Sequence, residues 1–298
     1  MPKITGYFLL AVIFFCSASI AQSPQIKKKV KLYEFKPGQE IVYNETGLSF
    51  AGGKETFFIT WSENDPVTGY AQYYTETGGK IYGPAEMLTG QVNYDPETAG
   101  FFVTCLKGSS YYTVINGTEY GPFDAIPAIY QENGYKDFII LPFSNELIIN
   151  GKKYGPYDEV YSPYLTPGGT FAFTFSKGGK YFFHVNGKEF GPYDGAEYAS
   201  LSNKPDKYLF SYTKDANLYY NVSGNINGPY FGSGFSQMTP DGESYFYTYY
   251  DAAMKYYFNL NGIVYGPYIK EPMIYSNEDG FICAEVTVAE GECYIITG

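Results

Sequence analysis

Three aspartates recur at one place in a repeated piece of text. Asp124, Asp158 and Asp194 each follow Gly-Pro-Tyr or Gly-Pro-Phe, directly behind Phe123, Tyr157 and Tyr193. Carboxylate pairs cleave glycosidic bonds, one as acid and the other as base or nucleophile. An active site needs unlike residues in unlike roles, whereas these three are alike in type and setting. Two readings therefore stand side by side. In one, each Asp closes its own turn with a side-chain hydrogen bond. In the other, the three carboxylates and the rings beside them form an acidic binding arc along one rim.

Other catalytic chemistry is thinly represented. A nucleophile triad needs a base, and the single histidine, His184, lies mid-strand in YFFHVNG, where a structural role is the plain reading. The chain lacks HExxH, CxxC, a glycine-rich phosphate loop and an EF-hand loop. One His and few Cys exclude the usual nitrogen and sulfur metal sites. Carboxylate-only calcium binding stays open, although the Asp residues read as turn formers. No cofactor is implied. The net charge is −11 and all 20 basic residues are Lys. Without Arg forks or a basic face, binding to nucleic acid or acidic lipid is not expected.

Residues 1–21 read as a secretory signal peptide. Lys3 forms a short basic head, Tyr7 to Phe15 is apolar but too short to span a bilayer, and Ser19 and Ala21 fit an A-x-A-like cleavage site. Cys16 raises a lipoprotein alternative, which the bulky Phe15 before it disfavours. A short segment, 22–30, follows, and 31–298 is read as one domain. The expected location is secreted or periplasmic, with no membrane insertion. Of the remaining cysteines, Cys105 reads as a small core residue. Cys283 and Cys293 flank VAEGE in a predicted hairpin; they are either a disulfide across it or two buried thiols.

The elements that would position these residues come from a repeat. Gly-Pro pairs fall at Pro84, Pro122, Pro156, Pro192, Pro229 and Pro267, spaced by 34 to 38 residues. Each copy reads as an aromatic strand, a polar turn, a second strand, a tight turn, a third strand and Gly-Pro, with a less regular apolar piece leading onward. The tight turn is Asn-Gly at Asn116, Asn150, Asn186 and Asn261, and in the fifth copy Val222-Ser223-Gly224-Asn225 replaces it. Asn-Gly between apolar strands signals a type I′ hairpin. Proline cannot donate to a ladder, so the strand near it should be an edge. Four strands per unit with the last on the rim describes a β-propeller blade, which repeats because no blade buries its faces alone.

The expected fold is thus all-β: a seven-bladed propeller of four-stranded antiparallel blades. The last copy, 278–298, aligns with 167–187 and ends before its outer strand, while YEFKPGQE (33–40) resembles an unattached outer strand with Pro37 as a seventh mark. Together they predict a ring closed by the N-terminal strand. The longer first interval places an extended loop at 63–71.

The turns TPDG (239–242), TPGG (166–169) and NEDG (277–280), with the strand after each, resemble WD40-like propeller repeats of the TolB type in three of seven copies. The resemblance implies a propeller outside the cytoplasm that works by binding other macromolecules, and it brings no site residues with it. The expected function is a non-enzymatic module for a protein or cell-surface partner, engaged at the rim of Phe123, Asp124, Tyr157, Asp158, Tyr193, Asp194 and the 63–71 loop. The alternative is a polysaccharide hydrolase or lyase using carboxylates and Tyr on the propeller face. With 35 Tyr, stacking on a glycan competes with plain sheet-on-sheet packing.

Overall fold

The computed structural model describes residues 34–42, 47–51, 54–77, 80–88, 93–95, 100–132, 136–142, 145–277, 282–289 and 292–297. The signal-peptide reading, Cys16 and most of the NEDG turn lie outside them. The chain divides into residues 1–37 and Gly38–Gly298. The larger unit is all-β among the described residues, and no helix there is long and apolar enough to cross a membrane.

Seven antiparallel sheets follow one another along the described chain in a propeller-type repeat. The fourth shows the plan. Glu159–Leu165 pairs with Phe171–Lys177, that strand with Lys180–Val185, and that with Lys188–Tyr193. Phe171–Lys177 is buried on both faces because a sheet lies against each side; its text, FAFTFSK, alternates large Phe with small Ala, Thr and Ser, and both sets are buried. Lys188–Tyr193 is mostly exposed, as an edge should be.

Two local devices recur. At the Asn-Gly turns, Asn116, Asn150, Asn186 and Asn261 have φ near 50° and the following glycines φ of 80–88°, the backbone of a type I′ turn. Asn does more than tolerate that φ. The Asn186 Oδ1 accepts the Phe171 N–H at 2.7 Å, which clasps the second strand of the sheet, and Asn116, Asn150 and Asn261 repeat the contact.

The Gly-Pro pair is the second device. In five of the six sheets that have it, the pair lies inside the outer strand at a register shift; in the third sheet it follows the strand Lys152–Tyr154. All six Gly-Pro bonds are cis. Gly191 has φ 138°, and a Cβ there would sit 2.6 Å from the Phe182 ring and 2.9 Å from the Tyr181 carbonyl oxygen. Only glycine lets the outer strand lie so close to the aromatic pair beneath it.

The sheets join through rings. Phe183 of the fourth sheet stacks on Phe210 of the fifth at 4.3 Å, and Tyr220 of the fifth on Tyr247 of the sixth at 4.2 Å. At the outer-strand end, Tyr193 lies on Tyr212 at 3.9 Å and Tyr230 on Tyr249 at 3.8 Å. Buried hydrophobic clusters bridge each successive pair of sheets from the first to the seventh, the last setting Phe246 and Phe258 against Ile282, Ala284 and Val286.

The expected ring closure is not formed. Gln39–Ile41 pairs with Lys54–Asn64 inside the first sheet, with Gln39 opposite Glu63 and Ile41 opposite Trp61. The seventh sheet has three strands, Met273–Ser276, Ile282–Ala289 and Glu292–Thr297, and the N-terminal strand is not among them. Strand number also departs from four, with five strands in each of the first two sheets. Chain entropy favours the observed choice. Closing a loop to a strand 24 residues away costs roughly 2 kcal/mol less than closing one ten times longer. A side-chain hydrogen bond from Gln39 Nε2 to Glu63 Oε2, 2.9 Å, adds to the local pairing.

Gly191→Ala should destabilise the protein by about 3 kcal/mol, through a forbidden φ and a backbone clash. Gly178→Ala, with φ 61° and open space around the added methyl, should cost only about 1 kcal/mol. Urea midpoints of the two variants at unchanged m-value provide the check; equal shifts would refute the close-approach argument.

Candidate functional site

The rim residues are placed at the end where each outer strand passes to the next sheet. Phe123 is buried against Phe138 and Ile140 of the third sheet. Tyr157 lies on Phe175 at 4.0 Å and Tyr193 on Tyr212, so these rings act as joints between sheets. Burial, reinforced by Tyr212 and Tyr208, pushes the Tyr193 hydroxyl up to about 12.

The carboxylates face the middle hairpin of the following sheet. Asp158 Oδ2 accepts the Gly178 N–H at 2.6 Å, and Asp194 Oδ2 accepts the Asp215 N–H at 2.7 Å. Asp194 also accepts from Lys180 Nζ at 2.5 Å; that hydrogen bond and then the Asp215 N–H hold its carboxyl below the usual range. Glu86 does the same work in the second sheet, accepting the Gly108 N–H at 3.0 Å. The sequence hides this equivalence because Glu stands where the later copies have Asp. Asp124 is exposed, and the hairpin that follows it includes residues outside the described set. No hydrogen bond links one of the three aspartates to another.

The loop in the first sheet is organised by Asp65, whose Oδ1 accepts the N–H groups of Val67 at 2.9 Å and Thr68 at 2.7 Å. Those backbone donors lower its carboxyl pKa. Val67 and Tyr70 stand exposed at the tip.

The Cys283–Cys293 bridge is not formed. Cys283 pairs with Thr297 while Cys293 pairs with Thr287, and both are free thiols. Four residues of strand, about 13 Å, separate the two positions, well beyond disulfide reach. Spacing around a turn suggested facing partners, but the turn is short and the register sets the two cysteines at opposite ends of the pair.

His184 is only 6% exposed. Its ring is stacked 4.7 Å from Phe173 and lies 4.9 Å edge-on from Tyr154. The rings of Phe171, Phe173 and Tyr154 surround it. Among the described residues, no group of three or more His, Cys, Asp or Glu is gathered in a way that would hold a metal.

A site that the sequence reading missed lies on the first strands of the fourth, fifth and sixth sheets: Glu159–Leu165, Gly195–Leu201 and Gly232–Met238. They border a cleft of about 730 Å³ that reaches toward the TPGG and TPDG turns, the opposite strand end from Asp158 and Asp194. Each strand breaks register once, between Tyr161 and Tyr164, Ala196 and Ala199, and Ser233 and Ser236. Such bulges re-aim side chains. In the sixth sheet, the Thr248 Oγ1 accepts the Phe235 N–H at 2.8 Å, and the side-chain oxygens of Glu271 and Thr248 crowd Gly234, so a Cβ there would have to displace them. Phe235 lines the cleft and is 64% exposed; Tyr164, also lining it, is 47% exposed.

The remaining lining mixes apolar residues, Pro167, Leu201, Met238 and Pro240, with polar ones, and Glu197 is the one charged group among them. Glu197 Oε2 accepts from the Ser233 hydroxyl at 2.7 Å and from the Ser211 hydroxyl at 3.4 Å. Asn203 Oδ1 accepts the Gly168 N–H at 3.1 Å, and Gln237 Oε1 accepts the Ser276 hydroxyl at 3.0 Å. Ser200 Oγ accepts the Met238 N–H at 2.9 Å, tying the fifth and sixth sheets across the cleft floor. The textual signal was the irregularity of these first strands, such as YFGSGFSQM, where an aromatic follows glycine without alternation.

No family model and no curated protein matches the chain. Among solved structures, the Dos1 propeller is similar with a TM-score of 0.38 and 11% identity, over 87% of this chain and 93% of that one. TolB from Acinetobacter baumannii gives a TM-score of 0.31 and 12% identity, over 85% and 78%. The β-propeller domain of the Trilobed protease from Pyrococcus furiosus, described as having an open velcro topology, gives 0.31 and 10% identity, over 85% and 95%. The likeness concerns the fold, and no residue role comes across with it.

Burial, with Lys152 second, lowers the His184 pKa from 6.5 to about 4. Between those values the unfolded chain binds a proton that the folded chain does not. Stability should therefore fall as pH drops from about 6.5 to about 4. His184→Phe keeps the ring stack and should flatten that slope in a series of Tm measurements across this range. Parallel slopes for the two proteins would contradict the assignment.

Proposed function

We propose that the chain is a non-enzymatic binding module, secreted or periplasmic, that engages a protein or surface component at the cleft bordered by Tyr164, Glu197 and Phe235. One observation carries the reading: three consecutive first strands each break register once beside a shared concavity lined by two exposed aromatic residues and polar groups. Exposed aromatic residues in a cleft with a few convergent polar groups are the ordinary composition of a binding site. The rim of Phe123, Asp124, Tyr157, Asp158, Tyr193 and Asp194 is the second candidate face, favoured by its exposed carboxylates and by Val67 and Tyr70 at the loop tip.

The polysaccharide-active enzyme is the second functional reading, and the Glu197 carboxylate in the cleft is what favours it. A glycosidase places two carboxyl groups roughly 5–9.5 Å apart. Glu197 is the one carboxylate among the cleft-lining residues, so the binding reading stands first.

The test immobilises residues 22–298 and exposes them to surface and envelope extract from the source cells. Retained material should be lost with Phe235→Ala. It should persist with the triple variant Asp124→Asn, Asp158→Asn, Asp194→Asn, which removes charge but leaves an oxygen to accept the hairpin N–H groups. The reverse pattern would move the binding face to the rim. Shortened products from a retained polysaccharide would replace the binding reading with the enzymatic one.

A further inference from the structure

We infer that the cleft takes an uncharged saccharide chain, an inference that rests on the cleft being the binding face. A sugar ring presents two kinds of surface, a face of C–H groups and a girdle of hydroxyls. A site for it needs an exposed aromatic plate beside groups that exchange hydrogen bonds with hydroxyls. Both are present here. Phe235 and Tyr164 supply the plates. The Asn203 carbonyl oxygen is held by the Gly168 N–H, which turns its NH₂ away from that turn as a donor. Glu197 spends Oε2 on Ser233 and Ser211 and keeps Oε1 as an acceptor.

Charge narrows the class. No Lys lines the cleft, and the chain carries −11 overall. A uronic acid chain, a phosphate or a nucleic acid would be desolvated there without a counter-charge. A peptide strand fits less well, because it brings backbone N–H and C=O groups that all need partners. The inner edge of the sixth sheet has already committed its Met238 N–H to Ser200. The volume of about 730 Å³ lies within the roughly 300–1,000 Å³ of small-ligand sites.

The experiment is calorimetric titration of residues 22–298 with cellohexaose, maltohexaose, xylohexaose, mannohexaose and chitohexaose, with hexagalacturonate as the acidic control. At least one uncharged chain should bind and hexagalacturonate should not. The affinity should be unchanged between low and high salt, since no ion pair is made. Phe235→Ala, at an exposed position that leaves Tm unchanged, should weaken binding about tenfold or more. Glu197→Gln should weaken it by a smaller factor.

Absence of binding by every uncharged hexasaccharide, or binding indifferent to Phe235→Ala, would overturn the inference. The binding-module reading fails separately. A protein retained from extract through Phe235, with no saccharide bound, would leave that reading standing and remove the saccharide. Retention of nothing, together with no saccharide binding, would remove both.

Discussion

Ring stacking between neighbouring sheets is the constraint on which the rest of the structure depends. Each sheet is buried on faces it cannot cover alone. The first to the sixth meet through aromatic pairs such as Phe183 with Phe210 and Tyr193 with Tyr212, while the seventh packs Ile282, Ala284 and Val286 against the rings of the sixth. Such pairs contribute about 0.5–1.5 kcal/mol beyond the area they bury. The outer ring of each pair must be held at a set height above the next sheet. That requirement explains the Gly-Pro-aromatic text. Glycine lets the outer strand settle on the aromatic strand beneath it, as Gly191 does over Phe182, and the next aromatic reaches across. The residue after it then caps the neighbouring hairpin, as Asp158, Asp194 and Glu86 do.

The division of labour within each sheet follows. The described middle strands are largely buried, and His184 there is packed among rings, its pKa lowered to about 4. Outer strands are committed to joining sheets. The first strands have one free edge and the least regular text, and there the bulges of the fourth, fifth and sixth sheets open a cleft. Groups available for binding concentrate where the packing requirement is weakest.

How much of this was legible in the sequence depended on whether a feature is local. Asn186-Gly187 announces its turn because two adjacent residues must both adopt positive φ, and the text needs nothing else to be read. Pro192 announces an edge for a similar reason. The N-terminal strand was misplaced because its pairing is a competition between distant partners, and the tie was broken by chain entropy and the Gln39–Glu63 contact, neither of which repetition reveals. Cys283 and Cys293 were misjudged because the turn, with Ala289 opposite Glu292, is tight, so Cys293 pairs beside it at Thr287 while Cys283 pairs at the far end with Thr297. The cleft was missed because a bulge reads as lost periodicity, and lost periodicity reads as loop. Phe235 becomes conspicuous only when Thr248 is seen to hold its backbone.

The most direct test of the central claim is a double-mutant cycle on Tyr193 and Tyr212, the pair stacked at 3.9 Å between the fourth and fifth sheets. Unfolding free energies of Tyr193→Ala, Tyr212→Ala and the double variant yield the coupling directly. Stacked sheets joined by these rings predict a coupling of about 1 kcal/mol, with the two single variants together costing more than the double. Strict additivity, to within about 0.3 kcal/mol, would mean that the rings contribute only buried area and that something else holds successive sheets in place.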